Sequence, residues 1–338
     1  MTIPRIDIAP LFGPPDDART AADRAVMEAA STSGFMTIAG FRGAEMLTPE
    51  NRRRLLAIFA LPEEEKRKLW RWNFDHSRPN VYRGWYPLQK GTLSQKEGID
   101  MGPDLAHGSG RIRDDDPLAE ETPLPPEELV PGWRAMAAAY YRAMEETGGA
   151  VMRSLARGLG LAETAFDAAF ENGVSTLRLT RYPYLPEIEA ERPDEHFVVH
   201  DGRRRAVIGG AHVDSGFVTL LAQDGVEGLQ AQAHSGEWID VPPAECTLAV
   251  NFGKLLERWT GGRVRATLHR VISPERERFS MPFFYEPAAD AEIAPLRIDG
   301  AAPFEPFLYG DHVWEVATNF VELRGVKHLR QPRRQAAS

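Results

Sequence analysis

The residues best suited to chemistry lie in the second half of the chain. His212-Val213-Asp214 stands where a strand-like run, Ala206 to Gly210, meets Ser215-Gly216. In extended backbone, residues i and i+2 point to the same face, so imidazole and carboxylate can converge on one point. With nine histidines and 49 acidic residues, about one His-x-Asp/Glu is expected by chance, and this is the single one present. Taken alone, it reads first as a hydrogen-bonded His–Asp pair. Its surroundings favour a ligand pair, because Gly209-Gly210 and Gly216 allow close backbone approach at a strand end. A third ligand must come from another strand, and His269 lies in the β-type segment Ala266-Thr267-Leu268-His269-Arg270-Val271. Two imidazoles and one carboxylate leave three coordination positions free. That set suits non-haem Fe(II) binding a chelating substrate and O2.

Downstream, Arg278-Phe279-Ser280 opens a strand-like run to Phe284. Period two puts Arg278, Ser280, Pro282 and Phe284 on one face. A planar guanidinium beside a hydroxyl is a carboxylate receptor, since its fork gives bidentate hydrogen bonds. Tyr182, ending Leu177-Arg178-Leu179-Thr180-Arg181, offers another inward donor; in isolation it reads as an interface ring with a satisfied hydroxyl.

These residues need elements to hold them. Ile3 to Ile8 alternate as a strand, Asp16 and Asp17 lead an Ala-rich helix to Ser33-Gly34, and Phe35 to Ile38 is strand-like. Thr48-Pro49-Glu50 combines an N-cap side chain with proline at the first helical position. A further helix begins at Pro62-Glu63. Residues 69–128 read as loops and short strands, and a long helix is predicted from about Gly132 to Arg157, with Gly148-Gly149 a candidate kink. From Thr176 to Glu286 short β-type runs alternate with turns, including a hairpin around Asp201-Gly202. The tail from Lys327 is basic and expected to fray.

The 338 residues are 43% hydrophobic and 26% charged, the composition of an ordinary soluble globular protein. A net charge of −9 argues against a nucleic-acid or membrane-surface binder. No apolar run is long enough for a membrane span, and Met1-Thr2-Ile3-Pro4-Arg5 does not open a signal peptide. The single cysteine, Cys246, excludes an internal disulfide and a cysteine-only metal cluster, which gives a cytoplasmic expectation. The sequence carries no signal of oligomeric state.

In order and spacing the chain resembles the isopenicillin N synthase-like group of Fe(II)- and 2-oxoglutarate-dependent oxygenases. The N-terminal match is carried by Ile3-Pro4-Arg5-Ile6-Asp7-Ile8, Ser33-Gly34-Phe35-Met36, Leu61 to Lys66 and Tyr82-Arg83-Gly84-Trp85. The denser match is Arg181-Tyr182-Pro183, His212 to Leu221, Gly228-Leu229-Gln230, Trp238, Val250-Asn251-Phe252-Gly253, and His269-Arg270-Val271 leading to Arg278-Phe279-Ser280. The resemblance implies a mixed α+β fold: a distorted double-stranded β-helix (jelly roll, cupin-like) core buttressed by N-terminal helices. It divides the chain into a helix-rich part at 1–130, a connecting helix region at 131–172, the β-helix core at 173–295 and a C-terminal extension at 296–338. It implies iron held by His212, Asp214 and His269, and the far carboxylate of 2-oxoglutarate gripped by Arg278 and Ser280 with help from Tyr182. Arg178 would point to the metal-bound end or the substrate, and Phe284 would wall the substrate pocket. Thr180 stands where many plant members carry asparagine, and Lys254 where aspartate is common. The charged stretch from Tyr184 to Arg205 would sit near the barrel mouth.

The implied reaction is oxidative decarboxylation of 2-oxoglutarate to succinate and CO2, using O2, coupled to hydroxylation, desaturation or cyclisation of a small molecule. Two alternatives accompany it. One is an oxidase of the same group that uses no 2-oxoglutarate, with Arg278 and Ser280 gripping the substrate's own carboxylate. The other is a non-catalytic β-barrel binding protein. A zinc hydrolase would need a dedicated general base, and no signature for one is present. Arg83, Arg178 and Arg181, if they face the pocket, favour a small carboxylate-bearing molecule such as an amino acid or a peptide-derived metabolite; otherwise they read as surface arginines of an arginine-rich chain.

Overall fold

A computed structural model of the chain describes residues 2–89, 93–108, 116–298 and 301–333. The helices are α1 (Asp17–Thr32), α2 (Pro49–Leu55), α3 (Glu63–Lys68), α4 (Asp104–His107), α5 (Trp133–Gly158), α6 (Asp167–Phe170), α7 (Pro186–Ala190), α8 (Lys254–Trp259) and α9 (Tyr309–Ala317). The starts of α1 and α2 follow the capping chemistry. The Asp16 carboxylate accepts the Arg19 N–H, and Thr48 Oγ1 accepts that of Asn51 ahead of a proline-led turn.

The strands of the two larger sheets are β1 (Arg5–Asp7), β2 (Phe35–Ala39), β3 (Gly84–Tyr86), β4 (Glu97–Met101), β5 (Thr176–Tyr182), β6 (Phe197–His200), β7 (Arg203–His212), β8 (Val218–Gln223), β9 (Leu229–Gln232), β10 (Trp238–Asp240), β11 (Leu248–Phe252), β12 (His269–Ile272) and β13 (Arg278–Tyr285). They form two sheets, one ordered β1-β2-β11-β8-β13-β5-β4-β3 and the other β10-β9-β12-β7-β6. Phe35 and Ala249 of the first sheet share a buried apolar cluster with Ala206, Ile208, Leu229 and Val271 of the second, so the two sheets face each other. The part expected to be helix-rich supplies four of the eight strands of the large sheet. β2 covers β11 and β4 covers β5, which removes two long free edges.

The other face of the large sheet is closed by helices. Leu177, Leu179, Met281 and Phe283 join one core with Tyr141, Met144, Val151 and Leu155 of α5. The Tyr141 ring meets Phe283 edge-on at 4.9 Å, and its hydroxyl donates to the Ser175 carbonyl at 2.7 Å. That inward packing of odd-numbered β5 and β13 residues turns Thr176, Arg178, Thr180, Arg278, Ser280 and Phe284 into the space between the sheets.

α5 runs through Gly148-Gly149 as one 26-residue helix, and Gly148 makes room for Tyr285, since a Cβ there would lie 2.5 Å from the ring. Gly148→Ala is therefore expected to destabilise the fold by about 1–3 kcal/mol through overpacking, measured by denaturant unfolding. The tail does not fray at Lys327, because Arg330 is buried between Asp116 and Asp311. Residues 334–338 of that tail lie outside the described residues. The Asp201-Gly202 hairpin is as expected, with both residues at positive φ (48° and 70°) and His200 paired with Arg203. No helix among the described residues is long and apolar enough to cross a membrane.

Candidate metal centre

His212 ends β7 and pairs in register with His269, which begins β12. Asp214 follows in the turn into β8, where its carbonyl accepts the Lys254 N–H at 2.8 Å; Lys254 acts there through its backbone. The two imidazoles are fixed by the carbonyls behind them. Nδ1 of His212 meets Gly210 O at 2.8 Å, and Nδ1 of His269 meets Thr267 O at 3.1 Å. A proton on each Nδ1 leaves both Nε2 lone pairs aimed forward. The Asp214 carboxylate is divided in the same way. Oδ2 accepts from Thr219 Oγ1 at 2.5 Å and from Asn251 Nδ2 at 2.7 Å, while Oδ1 lies 3.6 Å from His212 Nε2 and 3.8 Å from His269 Nε2.

One ligand atom from each of the three residues lies within 4.8 Å of the others. Burial alone would raise the Asp214 pKa, but the facing imidazoles and the two hydrogen bonds outweigh it and hold the carboxyl below its ordinary value. His269 is buried, whereas the His212 side chain is 51% exposed, so one side of the cluster is open. Two neutral imidazoles and one carboxylate, each held from behind, fit a first-row divalent metal with free positions.

On one side lies a cavity of about 100 Å³ whose lining includes Tyr182, Thr180, Asn251, His269, Arg278 and Ser280. Arg278 pairs in register with Tyr182, and Ser280 with Thr180. The guanidinium is 1% exposed and lies 5.4 Å from the Tyr182 ring centre. Its Nη2 donates to Gln223 Oε1 at 3.3 Å, but Nε and Nη1 are buried without a partner among the described residues. Burial pulls its pKa below the ordinary value. A buried guanidinium with two unused donor nitrogens is built to receive an anion.

On the other side, sharing His212, Asp214, Arg178 and Phe284, is a cavity of about 180 Å³. Arg178 spans the junction. Its Nε and Nη2 donate to Asp100 at 2.5 and 2.7 Å, and Arg71 pairs with the same carboxylate. Burial would raise Asp100, yet Arg178 and then Arg71 hold it well below the carboxylate range. Lys96 meets Glu322 at 3.3 Å. α9 and the turn after it close the cavity with Tyr309, Val313, Phe320 and Leu323, so the C-terminal extension forms a wall of the site.

Arg83 does not contribute as expected. Its fully buried guanidinium donates to Thr176 Oγ1 and, at 2.9 Å, to Val174 O, tying β3 to β5 behind the cavity. Arg181 is taken up by Glu97 and Glu277 at the surface side of the sheet. Among the described residues, none from Tyr184 to Arg205 lines either cavity. Asp100, Lys96, Glu286, Tyr309 and Glu322 escape the sequence reading. Glu286 alone was within its reach: the period-two count through Arg278, Ser280, Pro282 and Phe284 lands on it at the next step.

Glu286 is held by the Tyr309 hydroxyl, and burial raises its pKa from 4.5 to about 8. Between those values the folded chain keeps a proton that the unfolded chain has lost, so this group makes stability fall as pH rises across that window. Glu286→Gln is expected to flatten that slope relative to wild type, read from urea midpoints between about pH 5 and 8.

His212, Asp214 and His269 form a candidate metal cluster between the two sheets, and beside it lies a buried guanidinium that makes no ion pair among the described residues. Residues 177–287 match the 2OG-Fe(II) oxygenase superfamily, and residues 3–129 match the family described as non-haem dioxygenase in morphine synthesis N-terminal. The chain is 32% identical over 295 residues to the 2-oxoglutarate-Fe(II) type oxidoreductase hxnY of Emericella nidulans, covering 83% of this chain and 78% of that one. It is 30% identical over 320 residues to isopenicillin N synthase of Streptomyces clavuligerus, covering 92% and 93%. The fold superposes on a full-length Neurospora crassa protein in complex with alpha-KG and 5-formyluracil with a TM-score of 0.73 at 26% identity, covering 92% and 94%. The chain belongs to the 2OG-Fe(II) oxygenase superfamily. It is an Fe(II)- and 2-oxoglutarate-dependent dioxygenase that uses O2, with a double-stranded β-helix core.

Proposed function

We propose that His212, Asp214 and His269 hold the iron, that Arg278 and Ser280 beside Tyr182 take the far carboxylate of 2-oxoglutarate, and that the substrate is a small carboxylate-bearing molecule docked against Arg178. The observation that carries this reading is Arg278, whose Nε and Nη1 are buried without a partner among the described residues, in the cavity adjoining the three-residue cluster. The bound iron, 2-oxoglutarate and O2 supply oxidative decarboxylation coupled to oxidation of a substrate C–H bond.

The chain's own residues position these reactants. The Gly210 and Thr267 carbonyls keep each ring in the ligating tautomer, and Thr219 with Asn251 turns a single Asp214 oxygen forward. Arg278 and Ser280 fix one end of the cosubstrate, and Phe284 and Phe217 keep water from the second cavity. At the Arg178 end of that cavity the ion-pair partners of Arg71, Lys96 and Arg178 among the described residues are Asp100 and Glu322, three cations to two carboxylates, which favours a substrate anion at that end. Asp100 occupies two of the Arg178 donors and leaves Nη1 without a hydrogen-bond partner among the described residues.

Anaerobic addition of Fe(II) and 2-oxoglutarate is expected to give a visible charge-transfer band that is lost in His212→Ala. Absence of that band from the folded wild-type protein would sink the ligand assignment. A screen of amino acids and small acids for stimulated succinate release then tests the substrate class, and stimulation confined to uncharged compounds would remove the role given to Arg178.

A further inference from the structure

The other carboxylates on the wall of the 180 Å³ cavity are already engaged. Asp100 lies between Arg71 and Arg178, Glu322 meets Lys96, and Asp214 belongs to the triad. Glu286 has no such partner. Among the described residues it makes no ion pair: Oε2 accepts from the Tyr309 hydroxyl, the Phe217 N–H also donates to the carboxylate, and Oε1 lies so close to Gly216 that a Cβ there would come within 2.1 Å. A carboxyl walled on these sides by its own protein, and open to a cavity on another, can find a counter-ion only in what enters that cavity. Burial raises its pKa to about 8, so on its own the acid keeps its proton near neutral pH, and a cation seated beside it would draw that proton off.

We infer that Glu286 is a substrate-recognition residue that receives a cationic nitrogen, which makes the substrate an ω-amino or ω-guanidino carboxylate. This rests on the carboxylate reading given above and extends it. The strand ladder supplies the spacing. Ser280 pairs with Thr180 and Phe284 with Thr176, so Arg178 is level with Pro282, and Glu286 lies four residues further along β13's path. Four extended residues cover about 13 Å, and both long side chains reach into that interval. A molecule with an anion at one end and a cation at the other fits it, its aliphatic middle flanked by Thr176 and Phe284. His212 and Asp214 line the same cavity, so the carbons between the two charges are those presented to the metal.

The test is anaerobic calorimetry on the Fe(II)- and 2-oxoglutarate-loaded enzyme. The ligands are L-arginine and L-lysine, their uncharged counterparts L-citrulline and L-norleucine, and agmatine, which is arginine without its carboxylate. At least one basic amino acid is expected to bind roughly tenfold or more tighter than its uncharged counterpart. Glu286→Gln, checked for folding by thermal melt, should erase that preference. Equal affinity for charged and uncharged members, a preference that survives in Glu286→Gln, or no binding of either basic amino acid would overturn the inference. The wild-type comparison decides by itself if the variant folds poorly. Agmatine separates the two readings. If it binds as arginine does and loses affinity in Glu286→Gln, the carboxylate reading fails and the Glu286 assignment stands; if arginine and citrulline bind alike but agmatine does not, the reverse holds.

Discussion

Asp214→Ala is expected to lose bound iron and to lower succinate formation by about a thousandfold or more, since even the outer partners of metal ligands cost about 10–100-fold when removed. Asp214 is the only anion in a cluster whose other members are neutral rings 4.3 Å apart between centres. Its removal takes away the charge that balances a divalent ion, and it strands the donors Thr219 and Asn251, which now share Oδ2. Asn251→Ala should be milder, weakening iron affinity within the range of about 10–100-fold, because Thr219 still holds the carboxylate. Metal content after desalting and the Fe(II) dependence of succinate release read both effects. An Asp214→Ala protein that keeps one iron and its turnover would remove Asp214 from the ligand set.

The second large effect concerns Arg278, where the sign differs between the empty and the loaded enzyme. Arg278→Met is expected to raise the 2-oxoglutarate requirement by about a hundredfold or more, because a charge-assisted bidentate contact is lost together with its geometric fit. The same substitution should stabilise the protein without cosubstrate by about 1–3 kcal/mol. It removes two buried donor nitrogens that have no partner among the described residues, together with one long hydrogen bond to Gln223, and fills their place with an apolar chain of similar length. Wild type should therefore gain much more in thermal stability from 2-oxoglutarate than the variant does. Thermal melts of both proteins with and without 2-oxoglutarate and a redox-inert divalent metal measure the crossover. A variant less stable than wild type when empty, with an unchanged 2-oxoglutarate KM, would show that Arg278 is a structural cation.

What could be read from the sequence depended on whether neighbours in space were also neighbours in the chain. His212 and Asp214 share a face because they are two residues apart, and Arg278, Ser280 and Phe284 follow one strand period; each was legible from spacing. His269 needed a second strand, and the resemblance supplied its partner. Asp100 had no such signal: Arg71 and Arg178 come to it from 29 and 78 residues away, and no periodicity records that meeting. Arg83 and Arg178 look alike in an arginine-rich chain, yet one is consumed behind the sheet and the other faces the cavity. The C-terminal wall was hidden for a related reason. The tail that follows it, from Lys327, is basic and suggests a loose end, but Arg330 is paired with Asp116, 214 residues earlier in the chain.

The position of β2 also governs how this protein is made. Phe35, Met36 and Ile38 are almost completely buried, and β2 is paired on one side by the short β1 and on the other by β11. Ala249, the partner of Thr37, is synthesised some 210 residues later. At ribosomal rates of about 5–20 residues per second this leaves roughly 10–40 s in which an apolar strand waits without its mate. During that interval the nascent chain carries a sticky edge that no residue yet made can cover. Expression yield should therefore depend on chaperone supply and on growth temperature more than the stability of the finished enzyme would suggest.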